Sequence, residues 1–229
     1  MDTRERLAAV FGKSLLAEGM KKEKLEEFLS LSRVGLMSIG KGNVIFHDGD
    51  MPRCLYMLVE GEVHIQKDTF TGRRIFLSEI DEPGDVFGEV YLLLRKPYDM
   101  YVEAVKDTKL LAIDSGAFSL QEAAGNHAAL LVQQNLMRVL ARKAYFMHTK
   151  LKILASGSLR ERIIRFLFWS MDAGGSVRLD ITRETWASYL TVARPSLSRE
   201  LGALQSEGIL QVEGRNIQVL DKQAFESYL

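Results

Sequence analysis

The chain has 229 residues, 47% of them hydrophobic, and its 30 basic residues are matched by 30 acidic ones. That composition supports a packed core and excludes wholesale disorder. The length suits one large domain or two ordinary ones, and the lone cysteine, Cys54, excludes an internal disulfide.

No apolar run approaches the roughly eighteen residues of a membrane span. The opening stretch, MDTRERLAAVFGKSLL, sets acids beside bases around no sustained apolar core, so it does not read as a secretory signal. A cytoplasmic protein without a membrane partner is therefore expected. The zero net charge counts mildly against a nucleic-acid binder. Locally, Arg138, Arg142, Lys143, Lys150 and Lys152 lie in a stretch without acids, a pattern that a solvated helix face also gives.

Residues 1–36 read as short helical pieces, with Leu25, Phe28 and Leu29 at helical spacing. From about Met37 to Asp114 short apolar runs are broken by glycine. They include Val44–Phe46 before Gly49, Leu55–Val59 before Gly61, Val63–Ile65, and Ile75–Leu77 before Pro83-Gly84. Regular turn signals between short β-rich runs predict a small barrel or roll, with Thr71-Gly72 as a hairpin tip.

Helical character returns near Phe118. No glycine or proline interrupts residues 127–154, where Leu130, Gln133, Met137, Leu140, Ala144, Met147, Leu151 and Leu154 alternate by three and four. A stripe of about four heptads favours a two-helix coiled coil, hence a homodimer. A single helix lying on its own domain is the alternative. A second row, Val132, Leu136, Val139, Phe146 and Ile153, is expected to pack back on the roll. Ala155–Ser158 breaks the helix and is the expected hinge; Ser158 with Glu161 has capping-box spacing.

The segment Thr182–Ser206 reads TRETWASYLTVARPSLSRELGALQS. Thr182 can cap a helix running to Leu190. Small Ala187 permits a close crossing, and Thr191–Ala193 makes a turn. Pro195 falls in the first turn of a second helix, where its missing N–H costs nothing. Leu197, Leu201 and Leu204 then face inward, leaving Arg194, Ser196, Ser198 and Arg199 outward. A hairpin follows, Gly208–Glu213 and Ile217–Val219 about a turn at Gly214–Asn216, and reads as a wing.

Four motifs now stand in order: Gly61-Glu62-Val63, Pro83-Gly84-Asp85-Val86-Phe87-Gly88-Glu89, Val102-Glu103-Ala104, and Arg194-Pro195-Ser196-Leu197-Ser198-Arg199-Glu200-Leu201. Together they resemble the CRP/FNR family of bacterial regulators over essentially the whole chain. The resemblance implies an α+β protein with an N-terminal jelly-roll-like β-roll, a long dimerisation helix and a C-terminal winged helix-turn-helix. The expected limits are 1–120 for a cyclic-nucleotide-binding-like sensor, 121–155 for the dimer helix, with Leu130, Met137, Leu140, Ala144, Met147 and Leu151 at the seam, and 156–229 for the DNA-binding domain.

The resemblance further implies that Arg199 hydrogen-bonds a guanine, Ser198 touches a neighbouring base, Arg194 reaches a base or phosphate, and Ser196 and Thr182 hold phosphates. Arg215 at the wing tip joins this set. Many members carry Glu where Pro195 stands, so the half-site is expected to differ from the usual ones. Thr191 stands where glycine is usual, which predicts backbone strain. Double-stranded DNA, with half-sites about 34 Å apart, and RNA polymerase are the implied partners.

Cyclic-nucleotide binders of this family end the cassette opened by Phe87-Gly88-Glu89 with an arginine that pairs the phosphate. Here Tyr98 and Asp99 stand there, and a carboxylate repels phosphate. Cyclic AMP and GMP are therefore not expected. Glu89, Tyr98, Asp99, Met100 and Tyr101, with Phe87 and Gly88, would suit an apolar or aromatic small-molecule effector; simple filling of a closed roll is the alternative. One cysteine argues against an iron–sulfur cluster. His47, His64, His127 and His148 have no ligand spacing to one another, which argues against haem or another metal. No cofactor is expected, and Cys54 reads as a small buried hydrophobe. No catalytic triad, paired acids or Walker loop is present, so an enzyme is not expected. A cyclic-nucleotide-binding regulatory module and a helix-turn-helix dimer that needs no ligand are the competing readings.

Overall fold

The computed structural model describes residues 3–31, 33–69, 71–119 and 125–229. The chain divides into two compact units, one running to Ala141 and one from Arg142 to Leu229.

The first unit opens with α1 (Thr3–Lys13), a 3₁₀ turn (Leu15–Ala17) and α2 (Lys22–Leu29). Eight strands follow: β1 (Val34–Ile39), β2 (Val44–Phe46), β3 (Cys54–Glu60), β4 (Val63–Asp68), β5 (Arg74–Ile80), β6 (Val86–Phe87), β7 (Tyr101–Ala104) and β8 (Thr108–Asp114). Helix α3 (Glu89–Leu94) lies between β6 and β7. The strands form two antiparallel four-stranded sheets, in the orders β1-β8-β3-β6 and β2-β7-β4-β5. The run CLYMLVE of β3 lacks alternation because both its faces are covered. Leu55, Met57 and Val59 join the helices around Phe11, Phe28, Val132, Leu136 and Val139, while Leu58 turns to the opposite core with Phe46, Val63, Phe87 and Val102. The expected roll is therefore present, with Gly72 (φ +76°) in the β4–β5 turn.

Two glycine motifs have local causes. Gly61 has φ +103°, and a Cβ there would overlap Thr108 and come within 2.7 Å of the Asp107 carbonyl, so only glycine fits between β3 and β4. In the Pro83–Asp85 segment, Gly84 N–H donates to Leu58 O at 2.8 Å, and Leu58 N–H donates to Asp85 O at 2.8 Å. That pair docks the turn against β3 just before β6.

Helix α4 (His127–Leu154) begins in the first unit and ends in the second. Buried Asn135 donates from Nδ2 to the carbonyls of Leu16 and Glu18 at 2.9 and 2.8 Å, which ties the helix to the N-terminal segment. The second apolar row does not behave as one surface. Val132, Leu136 and Val139 pack in the first unit as expected. Ile153 belongs instead to the core of the second unit, and Phe146 is exposed with its ring in a T-shaped contact with Tyr189. Straight helical geometry carries the row past the end of the first core, and a different core then takes its last member.

The second unit contains α5 (Leu159–Ser170), β9 (Ser176–Arg178), α6 (Arg183–Tyr189), α7 (Arg194–Ser206), β10 (Leu210–Glu213), β11 (Asn216–Val219) and α8 (Lys222–Glu226). Its sheet order is β10-β11-β9, all antiparallel. Ser158 Oγ accepts the Glu161 N–H at 3.1 Å, and Glu161 Oε2 accepts from Gly157 N at 3.0 Å. The capping box is thus made, with its return bond one residue early. Asp172 Oδ1 accepts from Gly174 N and Ser176 N, both at 2.9 Å, making the Asp172–Gly175 glycines a tight turn into β9.

Candidate nucleic-acid interface

The α6–α7 corner is built from its side chains inward. Thr182 Oγ1 accepts from Thr185 N at 3.1 Å and caps α6. Trp186, Ala187 and Leu190 bury one face of α6 against Leu197, Leu201 and Leu204 of α7. The chain leaves α6 through Thr191, whose φ of +56° is left-handed. Val192 N–H donates to Ala187 O at 3.0 Å and Thr191 N–H to Ser188 O at 3.1 Å, the paired bonds of a Schellman turn. This turn needs the left-handed backbone that the threonine resists.

Pro195 lies in the first turn of α7. With Leu197, Leu201 and Leu204 buried, Arg194, Ser198 and Arg199 are exposed on the N-terminal half of the helix. Ser196 is half-buried, and its Oγ accepts from Arg199 Nη2 at 3.4 Å. The wing turn is two residues, Gly214 and Arg215, since Glu213 pairs with Asn216; Asn216 is a strand residue, not part of the turn. Arg215 is exposed there. Thr182, Arg194 and Arg215 line one open groove of about 490 Å³ between the start of α6, the start of α7 and the wing. Pro195, Ser196, Ser198 and Arg199 are not among its lining residues; Ser198 and Arg199 continue the exposed face along α7.

Three contributors escaped the sequence reading. Arg183 crosses to the wing, donating from Nη2 to Gly214 O at 2.9 Å, with its guanidinium over the Trp186 ring. Glu184 pairs with Arg194 at 3.1 Å. Arg160 on α5 donates from Nε to Glu200 of α7 at 2.6 Å and grips Glu207 through both Nη atoms at 2.7 Å. This bidentate clamp raises Arg160 above its ordinary value and holds the Glu207 carboxyl below its own. Spacing along the chain reveals none of these pairs, because their partners lie 10 to 47 positions away.

In the roll, the predicted effector residues separate. Tyr98 is buried, stacks on Phe46 with ring centroids 3.6 Å apart, and has neighbours in Tyr56, Phe87 and Tyr91. Gly88 (φ +81°) lies beneath it, and a Cβ there would come within 3.2 Å of the Tyr98 hydroxyl. That hydroxyl is buried without a hydrogen-bond partner among the described residues, and burial pushes its acidity well below that of an ordinary phenol. Glu89 is buried at the start of α3, and Met100 packs on the same aromatic cluster. Asp99 instead accepts from the Tyr91 hydroxyl and from Lys67 Nζ at 3.1 Å, contacts that hold its carboxyl below the usual range. Tyr101 is engaged with Asp68 at 3.4 Å and lies under Arg74. Cys54 is half-buried on β3, and burial raises its thiol.

Along α4 the stripe residues Met137, Ala144, Met147 and Leu151 are exposed, while Leu130 and Leu140 are half-buried. Leu140 also packs on the first unit's core.

Comparison with known proteins agrees with this anatomy. A family model described as the cyclic nucleotide-binding domain matches residues 36–120, and one described as the Crp-like helix-turn-helix domain matches residues 161–228. The chain is 29% identical over 217 residues to the cyclic AMP receptor protein of Thermus thermophilus, covering 93% of this chain and 97% of that one. It is 33% identical over 190 residues to the transcriptional regulator LdrP from another strain of Thermus thermophilus, covering 80% and 90%. The crystal structure of the Thermus thermophilus catabolite activator protein superposes with a TM-score of 0.52 at 26% identity, covering 94% and 98%. These relatives are regulators, and none is named as an enzyme. The chain belongs to the CRP/FNR family of DNA-binding transcription regulators.

Proposed function

We propose that this regulator binds a palindromic operator as a homodimer and reads each half-site with the exposed face of α7. The observation that carries the reading is the pairing of Ser198 and Arg199 on that face with three buried leucines behind them. Arg199 reads a guanine through O6 and N7, Ser198 contacts its neighbour, Arg194 reaches a base or phosphate, Thr182 and Arg215 hold phosphates at the groove, and Ser196 holds one from outside its lining. Pro195 contributes shape without a polar contact. Dimerisation runs through Leu130, Met137, Leu140, Ala144, Met147 and Leu151; the exposure of Met137, Ala144, Met147 and Leu151 in a single chain supports it. RNA polymerase is the machinery such a regulator acts on. Action on chromosomal DNA places the protein in the cytoplasm; among the described residues no helix is long and apolar enough to cross a membrane.

The effector differs from that of the relative named for cyclic AMP. By the family resemblance Tyr98 stands where cyclic-nucleotide binders carry the phosphate-pairing arginine, and its ring is stacked on Phe46 with Gly88 packed under its hydroxyl. Asp99 beside it is a carboxylate, a poor neighbour for a phosphate even with Lys67 pairing it at 3.1 Å. A small apolar or aromatic molecule entering by displacement of Tyr98 suits this lining better. With one cysteine the chain lacks the ligands of an iron–sulfur cluster, and haem is not proposed.

The test is to sequence genomic DNA retained by the purified dimer at fixed, near-physiological salt, then to repeat the binding with Arg199→Ala. A palindrome with half-sites one turn apart is expected, and the variant loses roughly 1–3 kcal/mol of affinity with relaxed choice at one base pair. Equal affinity in the variant would falsify the role given to Arg199.

A further inference from the structure

The outward face of the second sheet carries chemistry that DNA reading does not use. His64 lies at the centre of the sheet order β7-β4-β5. Its cross-strand partner on β5 is Glu79 and on β7 is Glu103. Directly opposed residues in an antiparallel pair project to the same side of the sheet. Val63, next in sequence, is fully buried, so this side is the outer one. Glu62 reaches the same face, with Oε1 3.1 Å from His64 Nε2. The Phe76 ring stands at 78° to the imidazole, with ring centroids 5.1 Å apart, which restricts the imidazole's tilt.

We propose that Glu62, His64 and Glu79 form a binding site for a divalent transition-metal ion of the zinc type. Their ligand atoms all lie within 4.8 Å of one another. Metal–nitrogen and metal–oxygen bonds are about 2.0–2.2 Å, so one ion spans at most about 4 Å between ligands. Side-chain adjustments of about an ångström therefore bring all three into contact. One imidazole with two carboxylates matches the preference of zinc and its neighbours, and the imidazole discriminates against magnesium and calcium. Water completes a four-coordinate shell on the open side. Lys106 donates to the other oxygen of Glu62 at 2.6 Å. Its side chain is mostly exposed, so it can swing away, and in the ion-free state it partly neutralises the carboxylates. It competes with the metal for Glu62.

The site explains why spacing along the chain offers no ligand set. Only Glu62 and His64 are near in sequence; Glu79 is brought in by the β4–β5 register. The ion would clasp these two strands across their ladder, on the side away from the aromatic core of the roll. The proposal does not depend on the DNA-binding reading.

The experiment titrates the full chain, stripped of metal by chelator and gel filtration, with Zn²⁺ by calorimetry and with Co²⁺ by visible absorption. One equivalent per chain is expected, undisturbed by Mg²⁺ in large excess, with a cobalt spectrum of mixed nitrogen and oxygen ligation. His64→Ala and Glu79→Gln each weaken binding by at least about ten-fold, whereas His148→Ala on α4 does not. Lys106→Gln tightens it. Glu79 is exposed, so Glu79→Gln keeps the test valid should His64→Ala fold poorly. No saturable binding by the wild-type chain, or binding unchanged by Glu79→Gln, overturns the site.

Discussion

Thr191 shows how far a single residue's conformation can be argued. Its position follows from chain direction: α6 ends at Tyr189 and α7 starts at Arg194, four residues lie between, and the Schellman bonds require φ near +56° at Thr191. A β-branched residue resists this region by about 1–2 kcal/mol. Glycine would relieve the strain but gives back roughly 0.5–1 kcal/mol through unfolded-chain entropy. Thr191→Gly is therefore expected to stabilise the second unit by about 0.5–1 kcal/mol. Both tryptophans, Trp169 and Trp186, lie in that unit, so a urea titration followed by fluorescence reports it directly. A lower midpoint would mean that the Thr191 side chain contributes more than its conformation costs. Glu184 offers a second residue-level expectation. It holds Arg194 in an exposed pair at 3.1 Å and places a negative charge at the groove proposed to take phosphates. Exposed pairs are worth at most about 1 kcal/mol, so Glu184→Gln should strengthen operator binding by about two- to five-fold. Weaker binding would show that Glu184 positions Arg194 instead of withholding it. The strain at Thr191 was legible in the sequence because the motif fixes where the turn falls. The restraint on Arg194 was not, since Glu184 lies on a different helix.

Elements were legible where one periodicity held and one core received it. The α6–α7 corner, the wing and the strands of the roll follow from local patterns and turn residues. The second row of α4 did not, because Val132 and Ile153 repeat the same spacing but serve different cores. The clamp between α5 and α7 was also invisible. Arg160 reads as one more charged residue until Glu200, Glu207 and Tyr228 are seen around it. Hydrogen bonds to charged groups contribute more than neutral ones, and the clamp is partly exposed, so Arg160→Ala is expected to destabilise the second unit by about 1–2 kcal/mol. It should also weaken DNA binding by loosening α7. The pH dependence has a definite sign. Glu207 has its folded-state acidity strengthened by Arg160, so its contribution is present above its ordinary value of 4.5 and is lost as pH falls through the depressed folded value. Fluorescence-monitored urea midpoints measured from pH 7 downward should drop in this acid range for the wild type and drop less for Arg160→Ala. Parallel profiles would place the acid sensitivity of the unit elsewhere.

At the scale of the molecule, the features that matter are those a single chain leaves unsatisfied. Helix α4 has 28 residues and is about 42 Å long. From Met137 onward it presents Met137, Met147 and Leu151 at 61%, 55% and 63% exposure, with small Ala144 between Met137 and Met147. Scattered apolar residues on a surface need no explanation, but a row at heptad spacing does. In the proposed dimer a second copy of the same helix would supply the matching row by symmetry. Two recognition helices held in one dimer make binding of the second half-site effectively intramolecular, which multiplies affinity by about 10²–10⁴. Met147→Glu with Leu151→Glu places like charges on both sides of that seam. Because these side chains are exposed in the single chain, neither core should suffer, and near-ultraviolet dichroism should be unchanged. Sedimentation equilibrium is expected to show a monomer, and operator affinity at fixed salt should fall by about the intramolecular factor. A variant that remains dimeric and binds normally would place the interface elsewhere and would leave the exposed row on α4 for another partner. A monomer that binds with undiminished affinity would mean that one recognition helix suffices, and the palindromic reading of the operator would go with it.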